Sequence, residues 1–245
     1  MCPEGGARDG CHERANSPVV VMVSVLYVAG SGRSGSTVLD TLIGSHGQAT
    51  TAGELYKLPR QWADPRFHCA CGHLVRTCPF WMAVVDRWCA LTGETGLERY
   101  EALRREIMQW RQLPPALFTR KVWRDARFTT YARLSGAMVR AVSEVAERPW
   151  VVDSSKVSLY LIALCQNADV DIKTVHLVRD VRGVCWSRLK SRFPNPVSRT
   201  AAFWLVANVA TELVTRRWVG RQSTLLPSYK PASTLIWSTI RQYPA

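Results

Sequence analysis

Short apolar runs alternate with longer segments of helical periodicity along this chain. Residues 19–29, 150–152 and 172–178 are rich in branched apolar side chains, which is typical of buried parallel strands. The predicted helices cover 36–44, 79–91, 97–110, 156–166, 182–192 and 200–217, together with a long helical region over 115–147. This alternation predicts an α/β fold in which helices flank a parallel sheet and a mainly helical insertion occupies 54–147.

The length of 245 residues suits one such domain. Residues 1–18 are polar and glycine-rich, without a basic segment followed by an apolar one, so we expect a disordered leader rather than a signal peptide. The predicted domain covers 19–220. No apolar run approaches the roughly 20 residues that span a bilayer, and we expect a cytoplasmic protein.

A glycine-rich turn joins the first predicted strand to the first predicted helix. Backbone N–H groups and a helix N-terminus then point at one spot, which is how proteins bind a phosphate group. The spacing fits the nucleotide-triphosphatase pattern G-x-x-x-x-G-K-[ST], except that Ser36 stands in the lysine position and Arg33 supplies a cation from inside the loop. The predicted phosphate-binding residues are Gly30, Ser31, Gly32, Arg33, Ser34, Gly35, Ser36 and Thr37.

This loop resembles the 5′-phosphosulfate loop of the sulfotransferase superfamily, in the arginine-loop branch that includes bacterial members and resembles the tyrosylprotein sulfotransferases. Three further motifs of that family recur in order: Gly-Glu at Glu54, Asp-x-Ser-Lys ending at Lys156, and a strand-end Arg179 followed eight residues later by Ser187. The similarity spans roughly residues 19–215. It implies a P-loop-type parallel sheet with a helical insertion between two cofactor-binding halves.

The resemblance also implies a chemistry, the transfer of a sulfuryl group from 3′-phosphoadenosine 5′-phosphosulfate to a hydroxyl or amine. The loop would bind the 5′-phosphosulfate, with Arg33 stabilising the leaving phosphate, and Arg179 with Ser187 would bind the 3′-phosphate. Glu54 would be the general base, and we expect its pKa to be raised so that it can deprotonate an alcohol. Lys156 would be a transition-state cation, and no metal is expected.

Each of these residues also has a plain structural interpretation, and Arg33 is compatible with a surface residue of the loop. Glu54 is compatible with a carboxylate favoured at a helix start, and Arg179 with an ion pair to Asp180. Ser187 and Lys156 are compatible with an ordinary helix serine and a solvated lysine.

Two other functions stay open at the level of sequence. One is a P-loop kinase or nucleotide hydrolase. The other is a degenerate, non-catalytic nucleotide-binding relative, because residues 221–245 lack the strand and basic loop with which such enzymes close over the adenosine, so that the chain end is atypical and possibly truncated.

The chain is strongly basic, with a formal net charge of +13 and a pI near 9.8. A doubly phosphorylated cosubstrate accounts for part of this charge, and no nucleic-acid reader motif is visible, so we do not expect a nucleic-acid partner. The expected partner is a small-molecule, carbohydrate or peptide acceptor, whose identity the sequence leaves open together with the oligomeric state.

One group of cysteines is clustered, namely Cys69, Cys71 and Cys78, with His68 and His73 nearby. Zinc can use three thiolates and an imidazole, but the C-x-C-x6-C spacing is not that of a standard knuckle. A zinc site, a local disulfide and reduced structural cysteines are all compatible with the sequence.

Overall fold

A parallel sheet forms the centre of the molecule. The computed structural model describes residues 22–118, 124–191, 194–220 and 224–225. Among these residues five parallel strands form one sheet in the order β2-β3-β1-β4-β5. The strands are β1 (Val23–Gly30), β2 (Ala49–Gly53), β3 (Trp150–Asp153), β4 (Val170–Leu177) and β5 (Thr224–Leu225). Because all of them run the same way, their carboxyl ends meet at one edge of the sheet.

Helices cover both faces of this sheet, which confirms the predicted α/β class. They are α1 (Ser36–Gly44), α2 (Leu58–Ala63), α3 (Pro79–Thr92), α4 (Glu98–Ile107), α5 (Leu113–Phe118), α6 (Ala126–Ala146), α7 (Ser158–Leu164), α8 (Val181–Leu189) and α9 (Val197–Val214). The last of these continues into a π-helical turn, Thr215–Val219. No helix among the described residues is long and apolar enough to cross a membrane.

Alternate residues of β1 divide the core into two layers. Val25 and Tyr27 are fully buried on one face of the sheet, where the insertion helices pack, while Val28 faces the layer that contains α1. Trp88 of α3 anchors the insertion by donating its indole N–H to the carbonyl of Leu134 in α6, at 2.9 Å. The insertion is therefore built into the same core as the sheet, rather than forming a separate one.

The structure departs from the predicted elements in two places. The segment 49–53 is not among the predicted strands, but it forms β2, which pairs with β3 at the edge of the described sheet. The region 115–147 was expected to be continuously helical, but it divides into α5 and α6, and Asp125 caps α6 by accepting a hydrogen bond from the N–H of Arg127 at 2.8 Å. A capping aspartate favours a new helix start at this point.

Several predictions concern residues that the structure does not describe. The leader, 1–18, lies entirely outside the described residues. Of the tail, 221–245, only Thr224–Leu225 is described, and it pairs with β4 as the edge strand β5. The boundary at residue 220 stays a prediction.

Candidate active site

The glycine-rich loop leads from the end of β1 directly into α1, as predicted. Gly35 is the N-cap residue of α1 with φ 88°, and no side chain caps the helix. The first N–H groups of a helix have no partner within the helix, so an uncapped start with no acidic residue in its first turn is suited to an anion. Arg33 also has a positive φ, 69°, although it carries a side chain. Left-handed residues within such a loop turn successive N–H groups toward a common point.

The loop is held in shape by its own serines. Ser34 donates its hydroxyl to the carbonyl of Ser31 at 2.8 Å, and the hydroxyls of the two residues lie 3.2 Å apart. Both serines are buried, whereas Arg33 and Thr37 are exposed. The Arg33 side chain forms no ion pair with the part of the chain that the structure describes. The loop thus presents the Arg33 guanidinium and the Thr37 hydroxyl outward and uses the hydroxyls of Ser31 and Ser34 for its own structure.

Gly30 joins the loop to the neighbouring strand. It pairs with Leu177 at the end of β4, and its φ is 119°. A Cβ at this position would lie only 2.4 Å from the carbonyl oxygen of Leu177. Glycine is therefore required here by close approach of two backbones as well as by conformation.

Arg179 reaches the same loop from β4. It follows that strand by two residues, and its Nη1 donates to the carbonyl of Arg33 at 3.0 Å. The guanidinium lies over Gly183 in α8, where an added Cβ would come within 3.0 Å of Nε. Asp180 forms an ion pair with Arg182 at 2.7 Å and caps α8, and the positive charge of Arg179 adds to the contacts from Arg182 that lower the pKa of Asp180. The side chain of Arg179 is thus directed toward the loop.

Ser187 shares the α8 face on which Arg179 rests. Gly183 and Ser187 are four residues apart in α8, which places them on the same side of the helix, one turn from each other. Ser187 is half-buried. A ligand that contacted the Arg179 guanidinium would therefore have a hydroxyl donor along the same helix face.

Helix α9 fixes the backbone around Arg179. The indole N–H of Trp204 donates to the carbonyl of Arg179 at 3.0 Å. One turn further along, Asn208 contacts the Nε2 of the buried His176 in β4 through its amide oxygen at 3.1 Å. These contacts hold the end of β4 against α9 and thereby position the arginine.

Glu54 lies at the end of β2 between two lysines. Its carboxylate accepts a hydrogen bond from Lys57, and its second oxygen lies 2.9 Å from the ammonium nitrogen of Lys156. Burial by itself raises the pKa of Glu54, but the hydrogen bond from Lys57 and the charge of Lys156 outweigh it and hold the pKa below its usual value. The expected rise in the Glu54 pKa is therefore wrong for the free protein, in which the group is ionised at neutral pH.

Lys156 is not the solvated lysine that one interpretation of the sequence allowed. Its side chain is only 13% exposed, its backbone has a positive φ of 60°, and its ammonium also donates to the carbonyl of Ser154. A left-handed conformation costs a non-glycine residue about 1–2 kcal/mol. The contacts of the Lys156 ammonium with Glu54 and with the carbonyl of Ser154 offset this cost and hold the ammonium beside Glu54.

Two further carboxyl groups lie beside Lys156, and both have raised pKa values. Asp153, fully buried at the end of β3, has its pKa raised to about 7 by burial, against the opposing effect of hydrogen bonds from Ser155. Burial likewise raises the pKa of Asp40 in α1, although Thr51 of β2 donates to that carboxylate at 2.6 Å. Lys156 stabilises the charged form of both carboxyl groups.

The structure thus brings the predicted residues to one edge of the sheet. The loop follows β1, Glu54 follows β2, Lys156 follows β3, and Arg179 follows β4. Sequence reasoning overlooked Asp40, Lys57 and Gly183 as neighbours of the site. Two of these carried a signal, since Asp40 is the one charged residue of α1 and Gly183 is a glycine inside a helix.

Comparison with known proteins agrees with this geometry. A family model described as "Sulfotransferase family" matches residues 26–231, which is most of the chain. No curated protein and no solved structure matches this chain at a significant level.

Proposed function

The chain belongs to the sulfotransferase family, and on that premise we propose that it transfers the sulfuryl group of 3′-phosphoadenosine 5′-phosphosulfate to a hydroxyl or amine of an acceptor. Family membership supports sulfuryl transfer in general. The donor, the residue roles and the arginine-loop branch are the parts that we add. The contacts at the sheet edge support these parts.

The observation that carries the proposal is the contact between Arg179 and the loop. The Nη1 of Arg179 lies 3.0 Å from the carbonyl oxygen of Arg33. An anion held by the loop and α1 and an anion held by Arg179 with Ser187 are therefore close enough to belong to one molecule. A nucleotide with a 5′-phosphosulfate and a 3′-phosphate fits this pair of sites, whereas ATP has no 3′-phosphate.

The same edge supplies what the reaction needs. In the in-line step the bond between sulfur and the 5′-phosphate oxygen breaks while a bond between sulfur and the acceptor oxygen or nitrogen forms. The acceptor proton passes to Glu54, and adenosine 3′,5′-bisphosphate leaves. Arg33 and the α1 N-terminus oppose the negative charge that develops on the phosphate. Lys156 keeps Glu54 oriented and places a second cation near the transferred group.

The lowered pKa of Glu54 changes how this base operates. Because the carboxylate is already charged at neutral pH, no titration is needed before it accepts a proton. The carboxylate is, however, a weak base, because its pKa is low. It also forms an ion pair with Lys156, and a second anion that binds nearby would compete for this lysine. We infer that the sulfuryl group draws Lys156 away from Glu54 on binding, which would raise the basicity of Glu54 at that moment.

The test compares two nucleotides by calorimetry, adenosine 3′,5′-bisphosphate and adenosine 5′-phosphate. A hydrogen bond to a charged group contributes about 1.5–3 kcal/mol. Arg179→Ala should therefore weaken binding of the bisphosphate about 10- to 150-fold and change binding of the 5′-monophosphate little. Arg182→Ala is the matched control, because Arg182 is exposed and paired with Asp180.

Equal weakening of both nucleotides would mean that Arg179 only supports the loop, and unchanged binding of both would remove the second anion site. Either result contradicts the proposal. Bisphosphate binding without sulfuryl transfer to any acceptor would instead favour the non-catalytic relative. A kinase is not favoured by the structure, because the position of the loop lysine is held by the buried Ser36.

A further inference from the structure

Three cysteine side chains converge in the loop between α2 and α3. The sulfur atoms of Cys69, Cys71 and Cys78 all lie within 4.8 Å of one another. The sulfur atoms of Cys71 and Cys78 lie 3.5 Å apart. His73 adds an imidazole, whose Nδ1 lies 3.5 Å from the sulfur of Cys71.

These distances fit ligands arranged around a common centre. Zinc bonds of about 2.3 Å to sulfur and about 2.0 Å to nitrogen, at tetrahedral angles, place two sulfurs about 3.8 Å apart and a sulfur and a nitrogen about 3.5 Å apart. A disulfide needs its two sulfurs at about 2.05 Å. The Cys71–Cys78 separation is therefore close to the tetrahedral value and far from that of a bonded pair.

The backbone holds two of the cysteines in a tight hairpin. Cys69 donates its N–H to the carbonyl of His73 at 2.7 Å, and Gly72 donates to the carbonyl of Cys69 at 2.9 Å. Gly72 has φ 90°, which few residues besides glycine adopt. The hairpin turns Cys71 back toward Cys69, so that both thiols lie on the same side as Cys78.

The third cysteine is fixed at the start of a helix. Cys78 is the N-cap residue of α3, a helix of 14 residues, and it is buried. Because its sulfur lies within 4.8 Å of the two sulfurs of the hairpin, the cluster joins the loop to α3.

The loop that carries the cluster has little regular secondary structure. Residues 64–78 connect α2 to α3 with one 3-10 turn, Val75–Thr77, and one isolated bridge between His68 and Leu74. Most of its side chains are exposed or half-buried. Connections of this length without secondary structure of their own are uncommon in compact domains, and a cross-link at the base of the loop would stabilise it.

We propose that Cys69, Cys71 and Cys78 bind a structural Zn²⁺ ion and that His73 provides the fourth ligand. The imidazole contacts Cys71 but lies outside the close grouping of the three sulfurs. Its exposed ring turns toward the centre when the metal binds. None of these four residues is among those proposed for sulfuryl transfer, so the zinc ion would stabilise the fold and take no part in the reaction.

Zinc is the metal that this donor set favours. Thiolates and an imidazole in tetrahedral geometry suit zinc rather than magnesium or calcium, which require oxygen ligands. Four protein ligands leave no open position for substrate, which is the arrangement of structural zinc sites. Binding also releases the thiol protons, so the affinity must fall as the pH is lowered.

The first test is metal analysis of the untagged full-length chain purified without chelator. We expect about one zinc per chain, as for other structural sites. Cys71→Ser and Cys78→Ser should each lose the metal. Cys89→Ser is the matched control, because Cys89 is half-buried like Cys69 but lies outside the cluster, and it should keep the full zinc content.

A second measurement keeps the proposal testable if a cysteine variant fails to fold. The native protein exchanged with Co²⁺ should show the intense visible bands of a tetrahedral thiolate site. His73→Ala should alter these bands and weaken zinc binding at least about tenfold, as loss of a ligand or its support does elsewhere. A chelator should lower Tm in the native chain and in Cys89→Ser, but not in Cys71→Ser.

Three results would overturn the proposal. The first is a zinc-free native chain that stays zinc-free after incubation with the metal. The second is a mass lower by about two hydrogens with loss of two titratable thiols, which identifies a disulfide. The third is a zinc content that Cys71→Ser and Cys78→Ser leave unchanged.

Discussion

Replacing Gly30 by alanine tests whether the end of β1 must touch β4 for the site to form. The added Cβ would lie 2.4 Å from the carbonyl oxygen of Leu177, about 1 Å inside normal van der Waals contact. The neighbour is backbone rather than a flexible side chain, so it cannot turn away. The two strand ends must then separate, or the loop must change its course.

The cost has two parts. Overfilling a packed region costs about 1–3 kcal/mol. Holding alanine at a φ of 119° costs about another 1–3 kcal/mol. Together the free energy of unfolding should fall by roughly 2–6 kcal/mol, and Tm by roughly 5–20 °C for a domain of this size.

Chemical unfolding of Gly30→Ala and Gly32→Ala side by side provides the assay. Gly32 belongs to the same loop, but an added Cβ there meets nothing within 4 Å. Its alanine variant should unfold within about 0.5 kcal/mol of the native chain. If both variants are equally stable, the close approach of β1 and β4 does not constrain the loop, and the reasoning is refuted.

Three further outcomes are expected. Glu54→Gln should lower the rate of transfer of a radiolabelled sulfuryl group by about 10²–10⁴, the usual contribution of a general base, with nucleotide affinity retained; an unchanged rate would assign the proton to another group. Burial raises the pKa of Asp153 to about 7, so the native state binds a proton that the unfolded chain releases near pH 4. The contribution of Asp153 to stability is therefore greatest below about pH 4 and falls by up to about 4 kcal/mol as the pH rises to about 7, and Asp153→Asn should remove this part of the pH dependence in urea titrations. Trp204→Phe removes one neutral hydrogen bond to the carbonyl of Arg179, and calorimetry should show about fivefold weaker bisphosphate binding, a loss of about 1 kcal/mol.

The sequence was sufficient for features that local rules determine. The predicted bounds of α1 match the structure, because an apolar stripe starts directly after the glycine turn. Pro79 correctly marked the start of α3, since proline is favoured in the first turn of a helix. The strand-end positions of Arg179 and Lys156 were also predictable, because both follow short buried runs.

Features that depend on tertiary contacts were not predictable in this way. The strand β2 has the sequence Ala-Thr-Thr-Ala-Gly, which contains no large apolar residue, and it forms because β3 offers backbone partners. The low pKa of Glu54 is caused first by the hydrogen bond from Lys57 and then by Lys156, which lies more than one hundred positions later in the sequence. Neither the local periodicity nor the spacing of motifs predicts which residues that are distant in the sequence come into contact.

The strand order also has a consequence for synthesis on the ribosome. In the described chain β1 pairs only with β3 and β4, and β2 pairs only with β3, so no two strands that precede Trp150 pair with each other. A nascent chain that has emerged only to the end of α6 carries two strands with unpaired edges. Cotranslational folding of the sheet must therefore wait for β3, and during that interval chaperones have their best opportunity to bind.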